Sequence, residues 1–184
     1  MNVLSIQPTP NPNAFKFMLN ETIQAEGSRY YNTATEASAD ALGAALFAIP
    51  GVETVYFAQD FATVTNVEGT NLETLHQQIR QVLDTHEGST SSAEKPTGSP
   101  APIGEATDDP GMMKQINELL DDPVRPALAG DGGGLEVLTL DSKVLTIRYQ
   151  GACGSCPSSI AGTLHAIQNL LQVEVDEELT VVSG

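Results

Sequence analysis

The 184-residue chain is short of cysteine and of positive charge. Its only two cysteines are Cys153 and Cys156. Two thiols do not fill a tetrahedral metal site, yet they are the minimum for a reversible disulfide. Lys and Arg number eight against 24 Asp and Glu, a formal net charge of −16. The eight form no run, so nucleic acid and anionic membranes are excluded as expected partners, because phosphate binding depends on clustered cations. The acidity itself has two readings, solubility and the steering of basic client proteins, and the sequence does not separate them. No apolar run approaches the ~20 residues of a membrane-spanning helix. The opening residues, MNVLSIQPTPNPNAFKF, contain no basic stretch leading into an apolar block and are not rich in Arg and Ser, which predicts a cytoplasmic chain. In that reducing compartment a lone C-x-x-C reads as metal-binding or redox-active rather than as a structural staple.

Hydrophobic residues make up 40% of the chain, enough for folded cores. The pattern predicts an α+β fold of two small mixed domains, 1–85 and 110–184, joined by a flexible linker over 86–109. The linker is built from Ser, Thr, Gly, Pro, Ala and acids and cannot bury enough surface to offset its ordering entropy. As a random coil of about 24 residues it would span roughly 25–30 Å. In the N-terminal part, strands are expected around Val3–Ile6, over AFKFML with Phe15 and Phe17 on one face, and over SRYYN. A short helix follows, with Ser38 as N-cap and Pro50-Gly51 as its stop. Next come a hairpin turning at Gln59-Asp60 and a closing helix. Asn71 caps that helix, and Leu72, Leu75, Ile79, Val82 and Leu83 form its buried stripe. The C-terminal part reads α-β-β-α-β. Its first helix carries Met113, Ile116, Leu119, Leu120, Val124 and Leu128, and Pro123 interrupts it. There either Asp122 caps a second helical turn or the helix kinks. DGGG is a turn, a hairpin follows around Asp141-Ser142, and the last helix has Ile160, Leu164, Ile167 and Leu171 on one side.

The C-x-x-C lies between the hairpin and that last helix. Pro157 suits the first helical position, where its missing N–H costs nothing. Cys156 then falls at or near the N-cap, facing unpaired backbone N–H groups and the positive end of the helix dipole, which lower a thiol's pKa. Gly151, Ala152, Gly154 and Ser155 are small and let the loop turn tightly. Three uses remain open for the pair. One is two reduced cysteines at a turn, and another is thiol–disulfide exchange. The third is half of a four-thiolate metal site, iron–sulfur or zinc, completed by a second copy of the chain across a two-fold axis. His76, His86 and His165 are read as ordinary boundary or surface histidines. Asp131 is read as part of an Asp-Gly turn.

RPALAGDGGGLEV followed by GACGSCPSS resembles the NifU C-terminal-like domain of Nfu-type iron–sulfur carrier proteins. TPNPNAFKF separately resembles the start of the N-terminal domain found in a subset of them. The resemblance covers nearly the whole chain outside the linker. It implies a carrier that holds a [4Fe–4S] cluster between two protomers, with a [2Fe–2S] cluster under some conditions left open; no residue reads as a general acid, base or nucleophile for a substrate, so no enzyme is expected. Cys153 and Cys156 would be the ligands. It also implies a homodimer formed through the C-terminal domain on cluster binding, an upstream scaffold, and apo iron–sulfur client proteins as recipients. The N-terminal domain would make client or partner contacts. Two positions depart from the family pattern: Gly134, where an acidic residue is frequent, and Pro123.

Overall fold

A computed structural model describes residues 1–86, 109–154 and 157–184, without the side chains at 26, 157–159 and 161. The expected linker at 86–109 therefore lies almost wholly outside the described residues. The chain divides into two compact units, Met1–Ser99 and Pro100–Gly184.

The first unit is one antiparallel sheet with helices on one face. Its strands are β1 (Val3–Pro8), β2 (Ala14–Leu19), β3 (Gln24–Tyr31), β4 (Val52–Gln59) and β5 (Phe61–Asn66), in the order β1-β2-β5-β4-β3. Gln59 and Asp60 close the β4–β5 hairpin, with Gln59 at φ 48°. Alternation sends Phe17, Leu19, Val55, Phe57, Ala62 and Val64 to the face covered by α1 (Ala41–Phe47) and α2 (Leu72–Thr85). Asn71 caps α2 as expected, its side chain accepting from the Thr74 N–H. Leu75, Ile79 and Leu83 are buried beneath that helix and Val82 packs partly against the core, but Leu72, in the first turn, is exposed. The cap of α1 also differs from expectation. Asp40, not Ser38, accepts from Leu42 N and Gly43 N. Ser38 sits in a preceding 3₁₀ turn, Glu36–Ala39, and donates to the Thr35 carbonyl.

The second unit follows the α-β-β-α-β order, with its first helix in two pieces. Asp109 caps α3 (Pro110–Leu119) by accepting from Gly111 N and Met112 N. The helical path then breaks over Leu120–Val124, where Asp122 is extended (φ −148°, ψ 110°), as the residue before a proline prefers. α4 (Arg125–Gly130) starts with no side-chain cap. Asp122 is thus the break and not a cap. Strands β6 (Gly133–Asp141) and β7 (Val144–Gly151) are antiparallel, and β8 (Thr180–Ser183) joins β7 in parallel after the crossover helix α5 (Pro157–Glu174). The hairpin turns at Ser142-Lys143, both at positive φ, one residue later than expected. Ile116, Leu120, Leu145, Ile147, Ile167, Leu171 and Leu179 form the buried centre of this unit. Ile160 and Leu164 contribute from the start of α5 while partly exposed. Among the described residues no helix is long and apolar enough to cross a membrane.

Candidate functional site

Cys153 lies in the turn that leaves β7. Gly151, the last residue of the strand, has φ +63°, a conformation that favours glycine. The turn is anchored at both ends: Ala152 N donates to the Gly132 carbonyl at 3.2 Å and Gly154 N to the Gly151 carbonyl at 3.0 Å. Cys153 is only 8% exposed and joins the apolar core of the unit.

The wall behind the sulfur is the start of β6. Gly133 pairs with Gly151 across the hairpin. A Cβ at Gly133 would lie 2.6 Å from Cys153 Sγ and 2.7 Å from the Gln150 carbonyl oxygen. The sulfur therefore occupies the space a side chain would take. This explains Gly133 physically, and the start of β6 at that residue corrects the expected DGGG turn. Only Asp131 and Gly132 turn, while Gly133 and Gly134 are strand residues. An acid is absent at 134, but Glu136, two residues along the same strand, accepts from the buried Gln150 side chain at 3.2 Å.

Tyr149 is the second polar side chain near this wall. Alternation along β7 places Leu145, Ile147 and Tyr149 on the core face, with Leu135 opposite Tyr149. The tyrosine is 6% exposed and its hydroxyl has no hydrogen-bond partner. Its pKa is pushed up to about 12, first by burial and then by the negative charge available at Cys153.

Cys156 and Ser155 lie outside the described residues. Pro157 does open α5, as expected, so Cys156 immediately precedes the helix in sequence. The histidines do not gather here. His165 is exposed on α5, and His76 and His86 belong to the other unit. Asp131 is exposed in its turn. Among the described residues no three His, Cys, Asp or Glu side chains are grouped to hold a metal ion. Sequence reasoning singled out Cys153 but not Gly133 or Tyr149. A signal for Tyr149 was present: it is the polar-tipped residue in the core alternation of the strand leading into the motif.

Two family models match the chain. Residues 4–90 match the model described as scaffold protein Nfu/NifU N terminal, and residues 116–182 match the NifU-like domain. Curated relatives include the mitochondrial NFU1 iron–sulfur cluster scaffold homologues of Drosophila erecta and Drosophila willistoni, each 30% identical over 175 residues. Both alignments cover 95% of this chain, and 62% and 61% of the respective relatives. The chain thus spans about three fifths of the length of the relatives it matches. Among solved structures, the NifU-like protein of Saccharomyces cerevisiae is 26% identical, covering 45% of this chain and 80% of that one, with a TM-score of 0.40. A Staphylococcus aureus protein solved by X-ray crystallography is 28% identical over 45% of this chain and 99% of that one, with a TM-score of 0.41.

Proposed function

Because the chain belongs to the Nfu family, with an Nfu N-terminal domain followed by a NifU-like domain, we propose that it carries iron–sulfur clusters to apo-proteins. Two chains pair through their C-terminal domains, and Cys153 and Cys156 of each hold one [4Fe–4S] cluster between them. The cluster is cargo and not a resident cofactor. The observation that carries this reading is the setting of Cys153: a buried thiol on an anchored turn, backed by a glycine strand, inside the segment that matches a NifU-like domain. Four thiolates are the usual ligand set of such clusters, and one chain has two cysteines.

Transfer proceeds by ligand exchange. A client thiolate forms a bond to iron as a carrier thiolate leaves, one position at a time, with no change in electron count. The carrier sulfur departs as a thiolate and takes up a proton from water. The N-terminal domain, over 1–85, holds the client, and tethering it through 86–109 keeps the client near the cluster at an effective concentration of up to ~1 mM. An upstream scaffold supplies the cluster. The proposed compartment is the cytoplasm, whose reducing poise keeps both thiols available, and cell fractionation checks it.

The test is anaerobic reconstitution with iron and sulfide, followed by the visible spectrum, metal content and oligomer size. The expected product is a coloured dimer with about four irons for every two chains, lost in Cys153→Ala and in Cys156→Ala. A dimer with about two irons assigns a [2Fe–2S] cargo instead. A colourless monomer that reduces insulin disulfides would overturn the carrier reading.

A further inference from the structure

The sheet of the first unit has two faces, and α1 and α2 cover one of them. The other carries Lys16, Thr54, Tyr56, Phe61, Thr63 and Thr65, the alternate residues of β2, β4 and β5. No helix or strand among the described residues of the unit lies over it. An antiparallel sheet packed on one face commonly leaves the other solvated. This one is buried: Thr63 and Thr65 are 1% exposed, Phe61 2% and even Lys16 only 8%. The Lys16 ammonium sits 4.1 Å from the centroid of the Phe61 ring, and Tyr56 lies 6.0 Å from that ring between centroids. The hydroxyls of Thr54, Thr63 and Thr65 are buried and find no hydrogen-bond partner among the described residues. A hydroxyl that loses water without a replacement costs about 1–3 kcal/mol, so three on one face call for a polar cover.

We propose that residues 87–99 of this chain dock across the face as an extended segment. The first compact unit runs to Ser99, well past the end of α2 at Thr85. That helix ends beside the outermost strand: the Asp84 side chain accepts from Val3 N at 2.8 Å, and Arg80 donates to the Val3 carbonyl at 3.0 Å. From there a path around the β1 edge drops about 10 Å from the helix layer and crosses to β4 in roughly 15 Å more. Fully extended, 87–99 reaches ~43 Å, so its length is sufficient. Its sequence, EGSTSSAEKPTGS, fits the face. The Ser, Thr and backbone groups supply donors and acceptors for the threonine hydroxyls, and the small side chains let the backbone lie close to a flat sheet. Glu87 and Glu94, against Lys95, leave the segment net negative toward the Lys16 ammonium. The segment has too little apolar surface to order itself, and the Tyr56 and Phe61 rings supply what it lacks. The tether between the units then begins near Ser99. Its random-coil span falls from roughly 25 Å for 87–108 to roughly 17 Å for 100–108.

Lysine acetylation of the folded full-length protein, read by mass spectrometry, tests the docking without any cluster. Lys114, whose side chain is 79% exposed, is the internal reference. Three forms are compared: the wild type, a variant with 87–99 replaced by a Gly-Ser repeat of equal length, and the wild type cut within 100–108 after folding. Lys16 should react slowly in the wild type and in the cut chain, at every protein concentration. In the replacement it should react about tenfold faster, the change that a docking free energy of ~1.4 kcal/mol produces. Cutting the folded chain between His86 and Glu87 releases the segment by a second route and should give the same rise, so a replacement that misfolds does not decide the matter. Equal Lys16 labelling in the wild type and the released forms would overturn the docking. Protection lost on the 100–108 cut assigns the cover to the second unit, and protection lost on dilution assigns it to a second copy of the chain. Either result overturns the docking as well.

Discussion

The closest approach in the site is between a glycine and a sulfur, and it makes a sharp prediction. Gly133→Ala places a methyl group 2.6 Å from Cys153 Sγ and 2.7 Å from a backbone oxygen. The carbonyl cannot yield without breaking the β6–β7 pairing, so the sulfur must move. Overpacking of this kind costs about 1–3 kcal/mol. Urea titration of the cluster-free protein should show that loss, and reconstitution should show reduced iron per dimer. His76 gives a second residue-scale prediction, in the other unit. Its ring meets Phe15 and Phe17 edge-on, at 4.4 Å and 5.7 Å between centroids, and burial holds its pKa below 6.5. The folded chain keeps it neutral while the unfolded chain protonates it. Stability from this group is therefore fully present above about pH 6.5 and is lost as pH falls below that. Denaturant midpoints between pH 7.5 and 5.5 should decline in the wild type, and His76→Leu should flatten that decline. Cys153 stood out in the sequence because thiol chemistry is written in residue type and spacing. The closeness of Gly133 to that sulfur was not legible, because it depends on the register that sets Gly133 opposite Gly151. Three glycines in a row look like a turn until a strand's pairing partner is known.

At the scale of elements, the helix starts show what local pattern settles and what it does not. Asn71 and Asp109 cap α2 and α3 from positions where side-chain chemistry alone decides. At α1, Ser38 and Asp40 are both good capping residues, two apart, and tertiary partners choose between them. Asp40 accepts from Arg29 at 2.6 Å and from the Tyr31 hydroxyl at 2.9 Å, both on β3, while it caps the helix. Asp40→Ala removes the cap and strands a largely buried guanidinium together, a loss of about 2–4 kcal/mol. Ser38→Ala should cost under about 0.5 kcal/mol. Thermal unfolding of the two variants ranks them, and equal losses would contradict the Asp40 cap. The break between α3 and α4 was legible as a break from Pro123. Its form was not, because an aspartate before a proline satisfies both a cap and an extended residue. The extended conformation prevails, and Arg125 reaches back across the break to Asp121 and Asn117.

At the scale of the whole molecule, the two-part order was legible from composition: the two periodic segments flank a stretch with almost no large apolar residue. Each unit has its own core, one under the five-stranded sheet and one between the three-stranded sheet and its helices. The prediction is that segments 1–86 and 109–184, made separately, each unfold cooperatively. The second segment alone should reconstitute with the visible spectrum of the full chain, while the first stays colourless. Loss of cluster uptake by the isolated second segment would show that the N-terminal unit takes part in ligation. The net charge of −16 gives no preference for either reading of the acidity, since charge balance reports on solubility and encounter rather than on fold.

The anchored turn at Cys153 bears on where the molecule breathes. A loop that presents a ligand is ordinarily a site of fast local opening, with amides that exchange readily with solvent. Here the Ala152 amide is tied to β6 through Gly132 and the Gly154 amide closes back onto Gly151. In the proposed carrier this half of the ligand set is already in place in the empty chain and would lose little conformational freedom on loading. On that proposal the give needed to hand over a cluster would come from the pairing of two chains rather than from the fold that holds the sulfur.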